Sequence, residues 1–313
     1  MGNKQATREA YGKTLAKLAK SNLNIVVLDA DLSKSTKTAD FKEVAPERFF
    51  NMGIAESNMM GVAAGLSTCG KIPFVSTFAM FAAGRAYEQI RNSICYPNLN
   101  VKVCATHAGL TVGEDGATHQ AIEDLSLMRS IPNMVVINPS DGIETEAAIK
   151  AISEYNGPCY VRLGRMAVED INTNEDYNFE IGKGIVLSEG KDESIVATGI
   201  MVDVAKKAKA MLSEEGINAR VINIHTIKPI DKELIIKAAK ETKAIVTAEE
   251  HSIIGGLGSA VTEVVSEACP VPVLRVGVKD VFGESGTPNE LLERYGLTAE
   301  AIVQKVKSAI NNR

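Results

Sequence analysis

The sequence predicts an α/β protein of two doubly wound domains of unequal size. Three observations carry this. Short runs rich in Val and Ile alternate with amphipathic stretches along nearly the whole chain, the pattern of parallel strands joined by crossover helices. The alternation lapses once, in the acidic, Asn-rich run EDINTNEDYN (residues 169–178). The length, 313 residues, is also about twice the ~150 residues of an ordinary domain. The expected domains are residues 1–175 and 183–313.

Each element follows from local pattern. Residues 9–20 read as a helix, and residues 24–31 (NIVVLDAD) as a buried strand. A short strand lies around Phe49 and Phe50, and residues 55–69 form the next helix. Strands are expected at residues 72–78, 101–106, 134–138 and 159–163, with helices at 85–95, 119–130 and 143–155 between them. Residues 163–179 lose periodicity and read as a linker. The second series runs strand 194–198, helix 201–212 closed by Gly216, strand 219–224, helix 232–240 and strand 244–248. A helix over 258–267, a strand over 271–276 and two final helices, 289–295 and 299–310, complete it.

Composition narrows the class. Hydrophobic residues make up 45% and charged residues 23% of the chain, as in an ordinary soluble protein. The net charge of −5 gives no basic footprint for nucleic acid. Gly, Ser or a charge interrupts every apolar run well short of the ~20 residues that a membrane span needs. The start, MGNKQATR, has no apolar signal-peptide core and matches a myristoylation signal only loosely. Five cysteines, odd in number and never spaced C-x-x-C, read as buried thiols in a reducing compartment. A cytoplasmic protein is expected, binding neither nucleic acid nor membrane.

Ligands of open α/β sheets bind beyond the carboxyl ends of the strands. Four of those loops stand out. In NMGIAESN (residues 51–58), Glu56 opens a helix. A carboxylate there can simply complement the helix dipole, but Met52, Ile54, Met59 and Met60 leave little to solvate a charge. A carboxyl buried in that way can hold or give a proton near neutrality. In TFAMF (residues 77–81), Phe78 and Phe81 suit either the core or the faces of an aromatic heterocycle. THAGLTVGEDGATHQ (residues 106–120) holds His107, Glu114, Asp115 and His119, half of the chain's four histidines, among glycines. No H-x-x-x-H spacing supports a metal there, so a polyhydroxylated or phosphorylated ligand is favoured. In YVRLGR (residues 160–165), an arginine could clamp a phosphate or pair with the acidic run that follows. No GxGxxG, P-loop or GxSxG motif is present. The GGLG run at residues 255–258 could cradle an anion, with close helix–sheet packing the favoured reading. Beyond residue 180 no catalytic cluster emerges; His225 and His251 read as structural, and packing of a dimer as that region's work.

In this order, the loops resemble the transketolases, over essentially the full length of their pyrimidine-binding and C-terminal domains. ATR (residues 6–8), DADL (29–32), GIAE (53–56), STF (76–78), GEDGATHQ (113–120) and INPSD (137–141) match that family's motifs in sequence. The resemblance implies a thiamine diphosphate pyrimidine-binding fold followed by a smaller α/β domain. It implies that Glu56 hydrogen-bonds a ring nitrogen of the cofactor's aminopyrimidine and favours its imino form. Phe78 and Phe81 would hold that ring, with Asp31 and Ile54 near the cofactor and Tyr87 a candidate third aromatic. His119, paired with Glu56 as a catalytic residue, and Asp115 would meet sugar hydroxyl and aldehyde oxygens. Arg8, Ser35, His107 and Arg165, rather than Arg162, would bind the sugar phosphate. The GDG motif that binds metal and diphosphate in full-length members is missing. An N-terminal partner subunit is therefore expected to supply the diphosphate site and the Mg2+ or Ca2+ ligands, none coming from this chain. An α2β2 assembly or a homodimer of this chain would result. The implied reaction moves a two-carbon ketol unit between sugar phosphates. Its rivals are the beta subunit of a 2-oxo-acid dehydrogenase, a deoxyxylulose-phosphate-synthase-like enzyme and a non-catalytic subunit that shapes its partner.

Overall fold

The computed structural model describes residues 4–172 and 177–311; the boundary expected at residue 175 lies outside them. The Val/Ile runs form two sheets. The first orders its strands Thr226–Lys228, Val135–Ile137, Cys159–Arg162, Lys102–Thr106, Ile72–Phe78, Ile25–Asp29 and Phe49–Asn51. All neighbours in it are parallel except Thr226–Lys228, which runs antiparallel to Val135–Ile137. The second sheet orders Val273–Val278, Ile245–Ser252, Glu193–Ala197, Ala219–Asn223 and the antiparallel edge strand Ile185–Ser188. Strands Ile25–Asp29 and Lys102–Thr106 are buried along their whole length, which explains why their sequences run apolar instead of alternating.

Three findings modify the sequence reading. First, Thr226–Lys228 belongs to the second half of the chain but extends the sheet of the first. Ile227 is thereby buried in a core that also takes in Val136, Tyr160, Ile222 and Leu257, so the two sheets share one apolar interior. Second, the expected linker contains a strand, Ala167–Glu169, paired antiparallel with Lys4–Ala6. Val168 is buried there, and Lys4 Nζ lies 3.2 Å from Glu169. Third, the helix expected at residues 119–130 begins only at Asp124. Residues before it are held in a turn by Gly116, whose carbonyl accepts from the amides of His119 and Gln120.

Other helices match the pattern closely, and their starts are built from capping side chains. The Asp141 carboxylate accepts from Glu144 N at 2.8 Å, and Thr287 with Glu290 forms a capping box. Residues 81–95 wind through wide π-helical turns on either side of Tyr87–Gln89. Among the described residues no helix is long and apolar enough to cross a membrane. All five cysteines are unpaired, three of them buried.

Candidate functional site

Parallel pairing sets the loops after four neighbouring strands, Lys102–Thr106, Ile72–Phe78, Ile25–Asp29 and Phe49–Asn51, side by side. Phe78 is in register with Thr106, and Asp29 with Ser76. The turn after Ile72–Phe78, the loop that begins at His107 and the start of helix Glu56–Thr68 therefore converge at one edge of the sheet.

Glu56 is 5% exposed. Its Oε1 accepts from Arg85 Nη1 at 3.0 Å, and among the described residues its other oxygen accepts no hydrogen bond. The Arg85 guanidinium also lies 4.0 Å above the Phe81 ring, a cation–π contact. Phe81 stacks on Phe78 with centroids 5.7 Å apart. The apolar surround expected for Glu56 is only partly present. Met59 and Met60 are fully buried, whereas Ile54 is 78% exposed and shields nothing within this chain. The third side chain at the rings is Arg85, not Tyr87. Tyr87 turns away, its hydroxyl 3.2 Å from Ser130 Oγ, because the π-helical turns rotate it toward the helix Asp124–Ser130. Sequence reading missed Arg85, which looked like the first residue of a surface helix.

Asp31 has a positive φ of 64°, is exposed and accepts from Asn51 Nδ2 at 2.8 Å. Asp29, also missed, is fully buried at the strand end. It accepts from Leu32 N at 2.6 Å, Thr36 Oγ1 at 2.6 Å and Thr38 Oγ1 at 2.8 Å, so it shapes the turn that carries Asp31. Burial raises its pKa.

His107, φ +56°, stacks on Phe78 with centroids 3.9 Å apart. Its Nδ1 lies 2.9 Å from Thr106 Oγ1, and its Nε2 3.5 Å from Arg8 Nη1. Arg8 reaches the Ser35 carbonyl at 2.7 Å, so Ser35 joins the cluster through its backbone. His119 sets its edge against Phe81, centroids 5.3 Å apart. Arg165 donates to the Val112 carbonyl and lies 3.4 Å from Glu114 and 3.8 Å from Asp115. Its acidic partners are thus in the GEDG loop, not in the run after it. Arg162 is buried instead, donating to Asp124 at 2.9 Å and to the carbonyls of Ala121 and Glu250. Arg8, His107, His119, Asp115 and Arg165 share one rim around the two rings.

Burial, then the charges of Arg8 and Arg165, pushes the His107 pKa down to about 3. Its ring is therefore expected to stay neutral from pH 5 to 8, with ring NMR shifts that do not titrate in that range. Below 6.5 the unfolded chain takes up a proton that folded His107 refuses. The stability it contributes is full above pH 6.5 and falls as the pH drops toward 3, by up to about 1.4 kcal/mol per pH unit. A His107 midpoint near 6.5 would contradict the burial.

The GGLG run does meet an anion, supplied by the chain itself. Glu249 accepts from Leu257 N at 2.7 Å and Gly258 N at 2.8 Å, and a Cβ at Gly256 would lie 2.0 Å from its Oε2. His225 stacks on Phe179, centroids 4.2 Å apart, and His251 is fully buried beside Glu249.

A doubly wound sheet whose carboxyl edge joins a buried carboxylate, two stacked rings and a rim of imidazole and guanidinium groups is a candidate ligand site of an α/β protein. Comparison with known proteins makes that specific. Residues 3–170 match the family "Transketolase, pyrimidine binding domain" and residues 182–302 "Transketolase, C-terminal domain". The chain is 56% identical to the "Putative transketolase C-terminal section" of Methanocaldococcus jannaschii, covering 96% of this chain and 94% of that protein. It is 45% identical to a 6-deoxy-6-sulfo-D-fructose transketolase subunit of Clostridium sp., over 95% and 92% of the two chains. A solved structure, "Split gene transketolase, inactive beta4 tetramer", is 60% identical, covers 99% of both chains and superposes with a TM-score of 0.91. The chain belongs to the transketolase family, as a subunit corresponding to its C-terminal section.

Proposed function

We propose that this chain is the C-terminal half of a two-chain transketolase that moves a two-carbon ketol unit from a ketose phosphate to an aldose phosphate. The observation that carries this is Glu56: a buried carboxylate with one oxygen unclaimed among the described residues, beside the stacked rings of Phe78 and Phe81. Thiamine diphosphate, when bound, supplies the carbon centre that accepts and hands on the two-carbon unit. The residues present fit its pyrimidine end, with a carboxylate for a ring nitrogen, Phe78 and Phe81 for the faces, and Asp31 and Ile54 at the margin. Ile54, exposed here, would be covered when a second chain closes the pocket.

Within that pocket each residue has a task set by its chemistry. Glu56 shares a proton with the heterocycle's nitrogen, in a site that the partner subunit would close to water. His119 and Asp115 hydrogen-bond the hydroxyl and carbonyl oxygens of donor and acceptor. Arg8 and Arg165 meet the sugar phosphate, with the Ser35 turn fixing Arg8 and neutral His107 lying beside it without adding charge. An N-terminal transketolase subunit would bring the diphosphate site and its Mg2+ or Ca2+ ligands, in an α2β2 assembly or around a dimer of this chain. The unpaired thiols support a cytoplasmic setting. The inactivity named for the split-gene relative's β4 tetramer supports a site that is incomplete without the other subunit.

Reconstitution with the partner and assay of ketol transfer against pyruvate turnover tests this; preference for pyruvate would overturn it. Arg165→Ala is expected to raise KM for phosphorylated acceptors roughly ten- to hundredfold, the loss of a charge-assisted hydrogen bond. Turnover of glycolaldehyde should change little. An equal loss on both acceptors would remove Arg165 from the phosphate site.

A further inference from the structure

We propose that the second half of the chain sets the geometry of the sugar-facing loop, residues 107–120, with Glu250 as the positioning residue. The loop carries His107, Asp115 and His119, so the inference rests on the function proposed above. Glu250 lies in strand Ile245–Ser252 of the second sheet and is 4% exposed. Its Oε1 reaches across to accept from Thr111 N at 2.7 Å. Gly109, φ +82°, makes the approach possible, since a Cβ there would lie 2.3 Å from the Glu250 carboxyl carbon. Two more contacts hold the loop from the same side. At its apex Gly116 packs on Ser285, whose Oγ would be 2.6 Å from a Cβ. At its end Gln120 Nε2 donates to the Glu284 carbonyl at 2.9 Å and to Leu110 O at 3.2 Å.

The choice of a carboxylate is informative. Two packed domains need only apolar surface to adhere, and a buried charge is costly unless its partners are placed. Here the carboxyl, with the buried Arg162 guanidinium as its nearby compensating charge, is aimed at one buried amide in a glycine-rich loop, which would otherwise be an unpaired donor. Glu250's own carbonyl accepts from Arg162 Nη2 at 2.9 Å, so its backbone is fixed against the first sheet. The loop is thus located relative to strand Cys159–Arg162 by a relay through the second half of the chain.

Amide hydrogen exchange on the full chain tests this without catalysis. Glu250→Ala is expected to speed exchange across residues 107–120 by about 10- to 100-fold, with strand Ile72–Phe78 changed by less than about threefold. Glu250→Gln keeps an acceptor for Thr111 and should stay near the parent. Should Glu250→Ala not fold, Gln120→Ala, which cuts the tether to Glu284, is expected to loosen residues 116–120 in the same way. In the reconstituted enzyme, Glu250→Ala should raise the KM for ribose 5-phosphate about tenfold while calorimetric thiamine diphosphate affinity stays within about twofold. Unchanged exchange in the loop, a uniform rise over both sheets, or a loosened loop with parental sugar kinetics would each overturn the proposal. None of those results bears on whether ketol transfer occurs at all, which the Glu56 variants decide.

Discussion

Glu56→Ala in the reconstituted enzyme is expected to lower kcat by about 10^2- to 10^4-fold, the usual contribution of a positioned acid–base group. The reason lies in where the helix Glu56–Thr68 begins. Its first side chain is 5% exposed and held from one side by Arg85, leaving the other oxygen for a ligand. Glu56→Gln keeps the shape and a hydrogen bond but cannot exchange a proton in the same way, so it should be nearly as damaged. Folding should survive both changes. Half of the Arg85 side chain is exposed, and a pair of that kind is worth about 1 kcal/mol or less. A variant that folds, binds cofactor and transfers ketol units at the parental rate would remove Glu56 from the reaction.

The largest effect on stability is expected from Arg162→Ala. Arg162 and Asp124 form an ion pair at 2.9 Å with both side chains buried, 4% and 0% exposed. Asp124 also accepts from the Tyr160 hydroxyl at 2.8 Å. Deleting the guanidinium leaves a buried carboxylate whose remaining hydrogen bond among the described residues is to that phenol, and strands the carbonyls of Ala121 and Glu250. Breaking a buried pair from one side costs about 3–5 kcal/mol, which at this chain length corresponds to about 5–8 °C in Tm. Arg165→Ala, three residues on and half-exposed, should shift Tm by no more than about 1–2 °C. Thermal scans of the two variants side by side check this; equal shifts would mean that the structural and ligand-facing arginines have been exchanged.

The fold was legible where backbone pattern and burial agree. Strand Ile72–Phe78 and the helices Gly142–Glu154 and Ala299–Asn311 are found within a residue of their expected bounds, because each carries its own periodicity. Thr226–Lys228 gave no such signal. It is three residues long, and its reason for being a strand is an unpaired edge far away in sequence, at Val135–Ile137. Ala167–Glu169 is the same case, extended by a partner at the chain's start. The late start of the helix at Asp124 reflects tertiary override, with Gly116 and Gln120 holding the preceding residues in a turn.

The candidate site was legible as motifs and less so as geometry. Phe78, Phe81, His107, Asp115 and His119 stood out in loops of unusual composition, whereas Arg8, and Arg165 in preference to Arg162, came from the family resemblance; the structure brings all seven near the two rings. Tyr87, a candidate third aromatic, turns toward Ser130 instead, and Ile54 stands exposed at the margin of the site within this chain. Arg85, Asp29 and Glu250 went unnoticed for a common reason. A charged residue in a helix or strand reads as solvent-facing, and only the fold shows that these three meet Glu56, the Asp31 turn and Thr111.

The most direct measurement is transfer of the ketol unit from xylulose 5-phosphate to ribose 5-phosphate, assayed with each chain alone and with the two mixed, with and without thiamine diphosphate. The expected result is activity only when this chain, its partner and the cofactor are all present, and its loss when this chain carries Glu56→Ala. Equal activity from either chain alone, or from the Glu56→Ala pair, would contradict it.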